Sequence, residues 1–133
     1  MARLRVLFAT MGAGLLAAGT LSAEVTCEKL RVEPLRCVEG TIIDQADGVI
    51  PRAEVSILKD GTVIATVETG LDGKFRFGEL KAGSYDLQAR APGFRSFSVP
   101  IVLKNPAKKC TQVLEIVLPI GGEYCTSIRL VRR

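Results

Sequence analysis

From residue 38 onward, apolar and polar residues alternate in short runs, cut about every ten residues by Gly, Asp or Pro. The first run covers 38–43. Asp44-Gln45-Ala46-Asp47-Gly48 then predicts a turn, because an aspartate can bond the backbone two residues on and glycine accepts positive φ. In the run at 53–58, Ala53, Val55 and Ile57 point one way and Glu54 and Ser56 the other, which predicts a strand with one buried face. Lys59-Asp60-Gly61-Thr62 fits a tight hairpin turn, with 63–69 as the return strand. Beyond the turn at 70–73, Phe75 and Phe77 share a face opposite Lys74 and Arg76, and Leu80 caps the segment. Tyr85, Leu87 and Ala89 face inward along 84–90, and Ala91-Pro92-Gly93 ends that run. Phe97, Val99, Ile101 and Leu103 alternate next. Pro100 lies on the opposite face and removes a backbone donor, so this strand is read as an edge or a bulge. Runs at 111–118 and 124–131, joined around Gly121-Gly122, complete the set. With no helical period in this region, the expectation is an all-β, seven- to eight-stranded Greek-key sandwich.

The N-terminal third reads differently. Arg3 and Arg5 precede an apolar or small run from 6 to 21, and Thr20-Leu21-Ser22-Ala23 offers a small residue for cleavage. Residues 1–23 are therefore expected to be a secretory signal peptide, the run being shorter than the ~20 apolar residues of a spanning helix. Residues 24–37 are expected to be a polar N-terminal extension, interrupted by Pro34 and anchored by Cys27 and Cys37 rather than by a packed face. Residues 38–133 are expected to be the sandwich domain. Loss of Arg3 and Arg5 lowers the formal net charge from +4 to +2. That is too mild for a nucleic-acid protein, whose basic residues cluster into a strong field.

All four cysteines, Cys27, Cys37, Cys110 and Cys125, follow the leader. An even count in an exported chain implies two disulfides. A zinc site would bring its ligands in closely spaced pairs, which these positions do not form. The expected location is secreted or periplasmic, with no membrane insertion after leader cleavage.

A recurring set of positions carries a family resemblance. It consists of Gly40, Ile42 and Asp44; Ala53, Val55 and Ile57; Thr69, Asp72, Gly73, Phe75 and Phe77; Leu80, Gly83, Tyr85 and Leu87; and Gly93 with Phe94. This pattern resembles the carboxypeptidase regulatory-like domain, a prealbumin-like (transthyretin-like) β-sandwich. The chain departs from it in having Ile43 directly before Asp44 and an extra Gly70 before Asp72, and its cysteines lie outside the pattern. The resemblance implies an accessory, binding or assembly module, and none of the matched positions is catalytic in that family. It also implies a first strand lying parallel to the penultimate one. That arrangement brings Cys37 to Cys110 and leaves Cys27 for Cys125, the preferred one of three connectivities. A Cys110–Cys125 bond is poor geometry for a hairpin of 111–118 with 124–131.

The chain has no histidine. That excludes a catalytic triad of the usual type, a His-ligated zinc, a hydroxyisourate hydrolase and an intradiol dioxygenase, so the chain is expected not to be an enzyme. No cofactor or metal is expected. Asp44, Asp47, Asp60 and Asp72 all sit in turns and read as turn formers, since the 44–48 segment lacks the alternating oxygen ligands of a calcium loop. Lys104, Lys108 and Lys109, with Arg129, Arg132 and Arg133, form one basic patch if the last loop and the tail converge. Phe94, Phe97 and Tyr124 are candidates for sugar stacking, set against a place in the core. The leading expectation is an exported binding or adhesion module acting on an envelope or extracellular partner, an unknown protein or a polysaccharide. The alternative is a structural subunit that pairs through an exposed strand edge such as 97–103.

Overall fold

The computed structural model describes residues 30–120 and 125–132, which form eight strands. These are β1 (Glu39–Ile43), β2 (Glu54–Lys59), β3 (Thr62–Glu68), β4 (Lys74–Arg76), β5 (Gly83–Arg90), β6 (Phe97–Leu103), β7 (Gln112–Val117) and β8 (Ser127–Arg132). They make two four-stranded sheets, ordered β4-β1-β7-β8 and β3-β2-β5-β6. Every pairing is antiparallel except β1 with β7, which run parallel with Gly40 opposite Leu114 and Ile42 opposite Ile116.

Period-two alternation builds the core. Ile42, Phe75, Leu114 and Ile116 face inward from one sheet, and Val55, Ile57, Leu87, Ala89, Val99 and Ile101 from the other. Phe75 and Phe77 meet edge to face with ring centroids 6.2 Å apart, the geometry that the ring quadrupole favours. Gly40 is required by close approach: a Cβ there would lie 2.2 Å from the Leu114 carbonyl oxygen. Asp60 and Gly61 both take positive φ, 49° and 80°, as a primed two-residue hairpin turn demands. β6 is an edge strand, as Pro100 implied.

The lead-in to β1 departs from expectation. Leu35, read as part of a polar extension without a packed face, is only 1% exposed and belongs to the core. Its N–H donates to the Val102 carbonyl at 2.8 Å and its carbonyl accepts from the Lys104 N–H at 2.9 Å, forming a parallel bridge beside Leu103. Leu30 and Val32 also pack against the core. The physical reason is the free edge of β6, whose end needs an apolar and hydrogen-bonding cover. An irregular extended segment supplies it, with no periodicity that a pattern search detects. The expected signal peptide, Cys27, the expected turn at Gly121-Gly122, Tyr124 and Arg133 lie outside the described residues.

Candidate functional site

The strand directions gather the connections at two ends. The β1–β2, β3–β4, β5–β6 and β7–β8 connections share one end. They are stitched by Ile42 N–H to the Gly73 carbonyl, Arg52 N–H to the Thr69 carbonyl, Leu118 N–H to the Ile43 carbonyl and Arg95 N–H to the Pro119 carbonyl. The β2–β3, β4–β5 and β6–β7 connections and the lead-in share the other.

At this second end the lead-in, the β4–β5 segment and the β6–β7 loop line a half-open pocket of about 690 Å³. Val38, Phe77, Leu80 and Leu103 give it an apolar floor, and Arg36, Arg76, Lys81 and Lys108 stand around it against a single carboxylate, Glu79. Two of the cations are fixed by the backbone. Arg36 Nε donates to the Asn105 carbonyl at 3.1 Å, and Arg76 Nη2 to the Lys108 carbonyl at 3.0 Å. Arg76 also lies 3.6 Å from Glu39. Asn105, at φ 48°, takes the left-handed conformation that asparagine tolerates, which aims its carbonyl at Arg36.

The walls are joined further. Cys37 and Cys110 are disulfide-bonded with their Cα atoms 5.9 Å apart, on the pocket's rim. The Ala107 N–H donates to the Arg36 carbonyl and the Phe77 N–H to the Val38 carbonyl. Cys125 is also in a disulfide, and its expected partner Cys27 lies outside the described residues.

The patch expected from sequence is redistributed. Lys108 lines the pocket, with Lys104 and Lys109 exposed on the same loop. Arg132 pairs across the ladder with Gln112, two residues after Cys110, so the tail does reach this end. Arg129 does not join it: the β7–β8 register sets it opposite Glu115, with which it forms an ion pair. Arg36, Arg76 and Lys81, absent from the expected patch, are brought in by folding. Their one sequence signal is position, beside Cys37, at the end of a strand and in the following turn.

The turn aspartates act as turn formers. Asp44 Oδ1 accepts from the Ala46 and Gly48 N–H groups, both at 2.8 Å, and Asp72 Oδ1 accepts from the Lys74 N–H at 3.0 Å. Among the described residues no group of three or more His, Cys, Asp or Glu is placed to hold a metal. Phe97 is 4% exposed and so presents no stacking face, and Phe94 packs partly buried against the core.

This sheet order, with its parallel β1–β7 pair, defines a prealbumin-like sandwich. The carboxypeptidase regulatory-like domain family matches residues 37–119, and the chain belongs to it. Among solved structures, the fold is similar to that of Klebsiella pneumoniae 5-hydroxyisourate hydrolase. The TM-score is 0.54 at 20% identity, covering 71% of this chain and 98% of the hydrolase. No curated protein matches the sequence.

The hydrolase match corrects the expectation that the chain is not an enzyme: a solved structure of similar fold is that of an enzyme. At this identity the likeness extends to the fold alone. The Cys37–Cys110 bond fits an extracellular or periplasmic location. Among the described residues no helix is long and apolar enough to cross a membrane.

Proposed function

We propose that this chain is an exported binding module whose working surface is the basic end pocket, and that it takes an anionic group of a cell-envelope or extracellular partner. One observation carries the reading. Four cations surround an apolar floor against Glu79, with Glu39 beside Arg76, in a cavity whose walls are tied by a disulfide and by side-chain to backbone bonds. Pre-positioned guanidinium groups lose less freedom on meeting a carboxylate, sulfate or phosphate, and clustered like charge draws such a group in from solution.

The strand-edge alternative has weaker support. Within the described residues, each sheet edge carries a feature that discourages pairing. β6 contains Pro100 and is covered at Leu103, β4 is three residues long, β8 carries Arg129 and Arg132, and β3 is bulged where it faces Ile57 and Leu58.

The test is retention of the oxidised protein on immobilised dextran sulfate and on its own envelope fraction, with neutral dextran as control. The expected result is retention that salt reverses and that Lys81→Glu/Lys108→Glu abolishes. Equal binding to neutral and sulfated dextran, or a charge-reversed variant that still binds, would overturn the reading.

A further inference from the structure

The end opposite the pocket is mixed in charge and exposes apolar side chains. Three of the exposed large apolar residues, Val49, Leu71 and Ile120, lie in its loops. Asp44, Asp47 and Asp72 lie in the same loops with Arg52 and Arg95, and Lys74 follows at the start of β4. The most prominent feature is Leu71, 84% exposed, beside Asp72.

Leu71 and Asp72 are the two central residues of a closed turn. The Gly73 N–H donates to the Gly70 carbonyl at 2.9 Å, and the Gly70 N–H to the Lys74 carbonyl at 3.0 Å. Gly73 holds φ 73°, and a Cβ there would lie 2.8 Å from the Val49 side chain, so the turn is seated firmly on the β1–β2 loop. An exposed apolar side chain therefore stands on a rigid turn beside a carboxylate, of which Oδ1 accepts the Lys74 N–H at 3.0 Å.

The geometry points to head-to-tail association, in which the Leu71-Asp72 tip of one copy enters the basic end pocket of a second copy of this chain. Leu71 meets the apolar floor at Phe77 and Leu80, and Asp72 meets Lys81 and Lys108 on the rim. The contact is heterologous: tip and pocket sit at opposite ends, so a row of copies keeps one tip and one pocket free at its two ends and can grow from either. Both partners are ordered before they meet, which lowers the cost of association, while a single tip buries little area and keeps the contact weak. This inference rests on the reading of the pocket as an acceptor of anionic groups, and it names a protein tip as a competitor for the polymer.

Sedimentation of the oxidised protein over a concentration series tests it, using two variants. Leu71→Ser/Asp72→Asn removes the tip while keeping the oxygen that accepts the Lys74 N–H, and Lys81→Glu/Lys108→Glu removes the pocket. The wild-type mass is expected to rise with concentration and to fall back in high salt. Each variant alone is expected to remain a monomer. An equimolar mixture of the two is expected to stop at a one-to-one pair, since it contains a single competent tip and a single competent pocket. A wild-type chain that stays monomeric, a tip variant that still associates, or a mixture that forms no pair would overturn the inference.

Dextran sulfate separates the two readings, because the tip variant retains the pocket. Monomeric behaviour with polyanion binding intact sinks head-to-tail association and leaves the polymer as occupant. Association without polyanion binding sinks the proposed function alone.

Discussion

The two ends of this sandwich are built from different materials. The pocket end is assembled from segments far apart in sequence. The lead-in, the β4–β5 segment and the β6–β7 loop are joined by the Cys37–Cys110 bond, seventy-three residues apart, and by arginine side chains bonded to backbone carbonyls. The opposite end is assembled from turns that close on themselves through Asp44, Asp72 and Gly73, stitched mainly by backbone hydrogen bonds. The lesson is where function can accumulate. Charge repulsion among clustered cations needs an independent restraint, and the pocket end has a covalent one. Local turns need none, and can present an apolar tip at little cost.

Breaking the covalent restraint should have the largest effect. Replacing both cysteines, Cys37→Ala/Cys110→Ala, is expected to cost about 4 kcal/mol in the chain-entropy account of a ~70-residue loop. Urea unfolding checks it. Polyanion retention should fall as well, because the lead-in and the β6–β7 loop are then free to separate. An unchanged urea midpoint would show that the cations hold together without the bond.

Leu35→Ala comes next, at about 3 kcal/mol for a large buried aliphatic. The side chain is in the core and its backbone bridges β6, so this variant weakens the pocket end without touching charge. If it costs no more than a surface substitution, the lead-in is a tether and the polar-extension reading was right after all.

How much of this the sequence shows follows from the same contrast. Local turns were readable at both ends: Asp44-Gln45-Ala46-Asp47-Gly48 at the far end and Asp60-Gly61 at the pocket end carry their conformations in their own residue types. Strand faces were readable too, since Val55 with Ile57, Phe75 with Phe77, and Tyr85 with Leu87 alternate as their burial does. The pocket was not. Its cations stand at 36, 76, 81 and 108, and nothing in their spacing links them before the strands are stacked. Leu35 failed for a related reason: an isolated leucine before Arg36 and Cys37 has no periodic partner. The patch was half right, and the departure of Arg129 was in principle available, since a hairpin of 111–118 with 124–131 already places it near Glu115.

A test of the turn end itself follows. Thr69 is a buried polar residue there, and its Oγ1 donates to the Ile50 carbonyl and accepts from the Ala53 N–H, both at 2.7 Å. Thr69→Val keeps the shape and strands both backbone groups, so the expected loss is about 2 kcal/mol. Pocket retention should be unchanged, because the substitution lies at the far end. A fall in retention alongside the stability loss would show that the two ends are coupled through the sheets, contrary to the division drawn above.

The smallest expected effect discriminates most finely between chemistry and architecture. Asp44 could act through its charge or merely through an oxygen that accepts two backbone N–H groups at 2.8 Å. Asp44→Ala removes the acceptor and should cost about 1 kcal/mol, the usual worth of such a bond at a partly solvated site. Asp44→Asn keeps an acceptor in the same place and loses only the charge. If the turn is the whole role, asparagine stays within a few tenths of a kcal/mol of wild type by urea unfolding while alanine does not. If asparagine costs as much as alanine, the charge matters. The Asp44 carboxylate would then stabilise its turn through charge as well as through an acceptor oxygen, whereas head-to-tail association asks only Asp72 to bring a charge to the pocket.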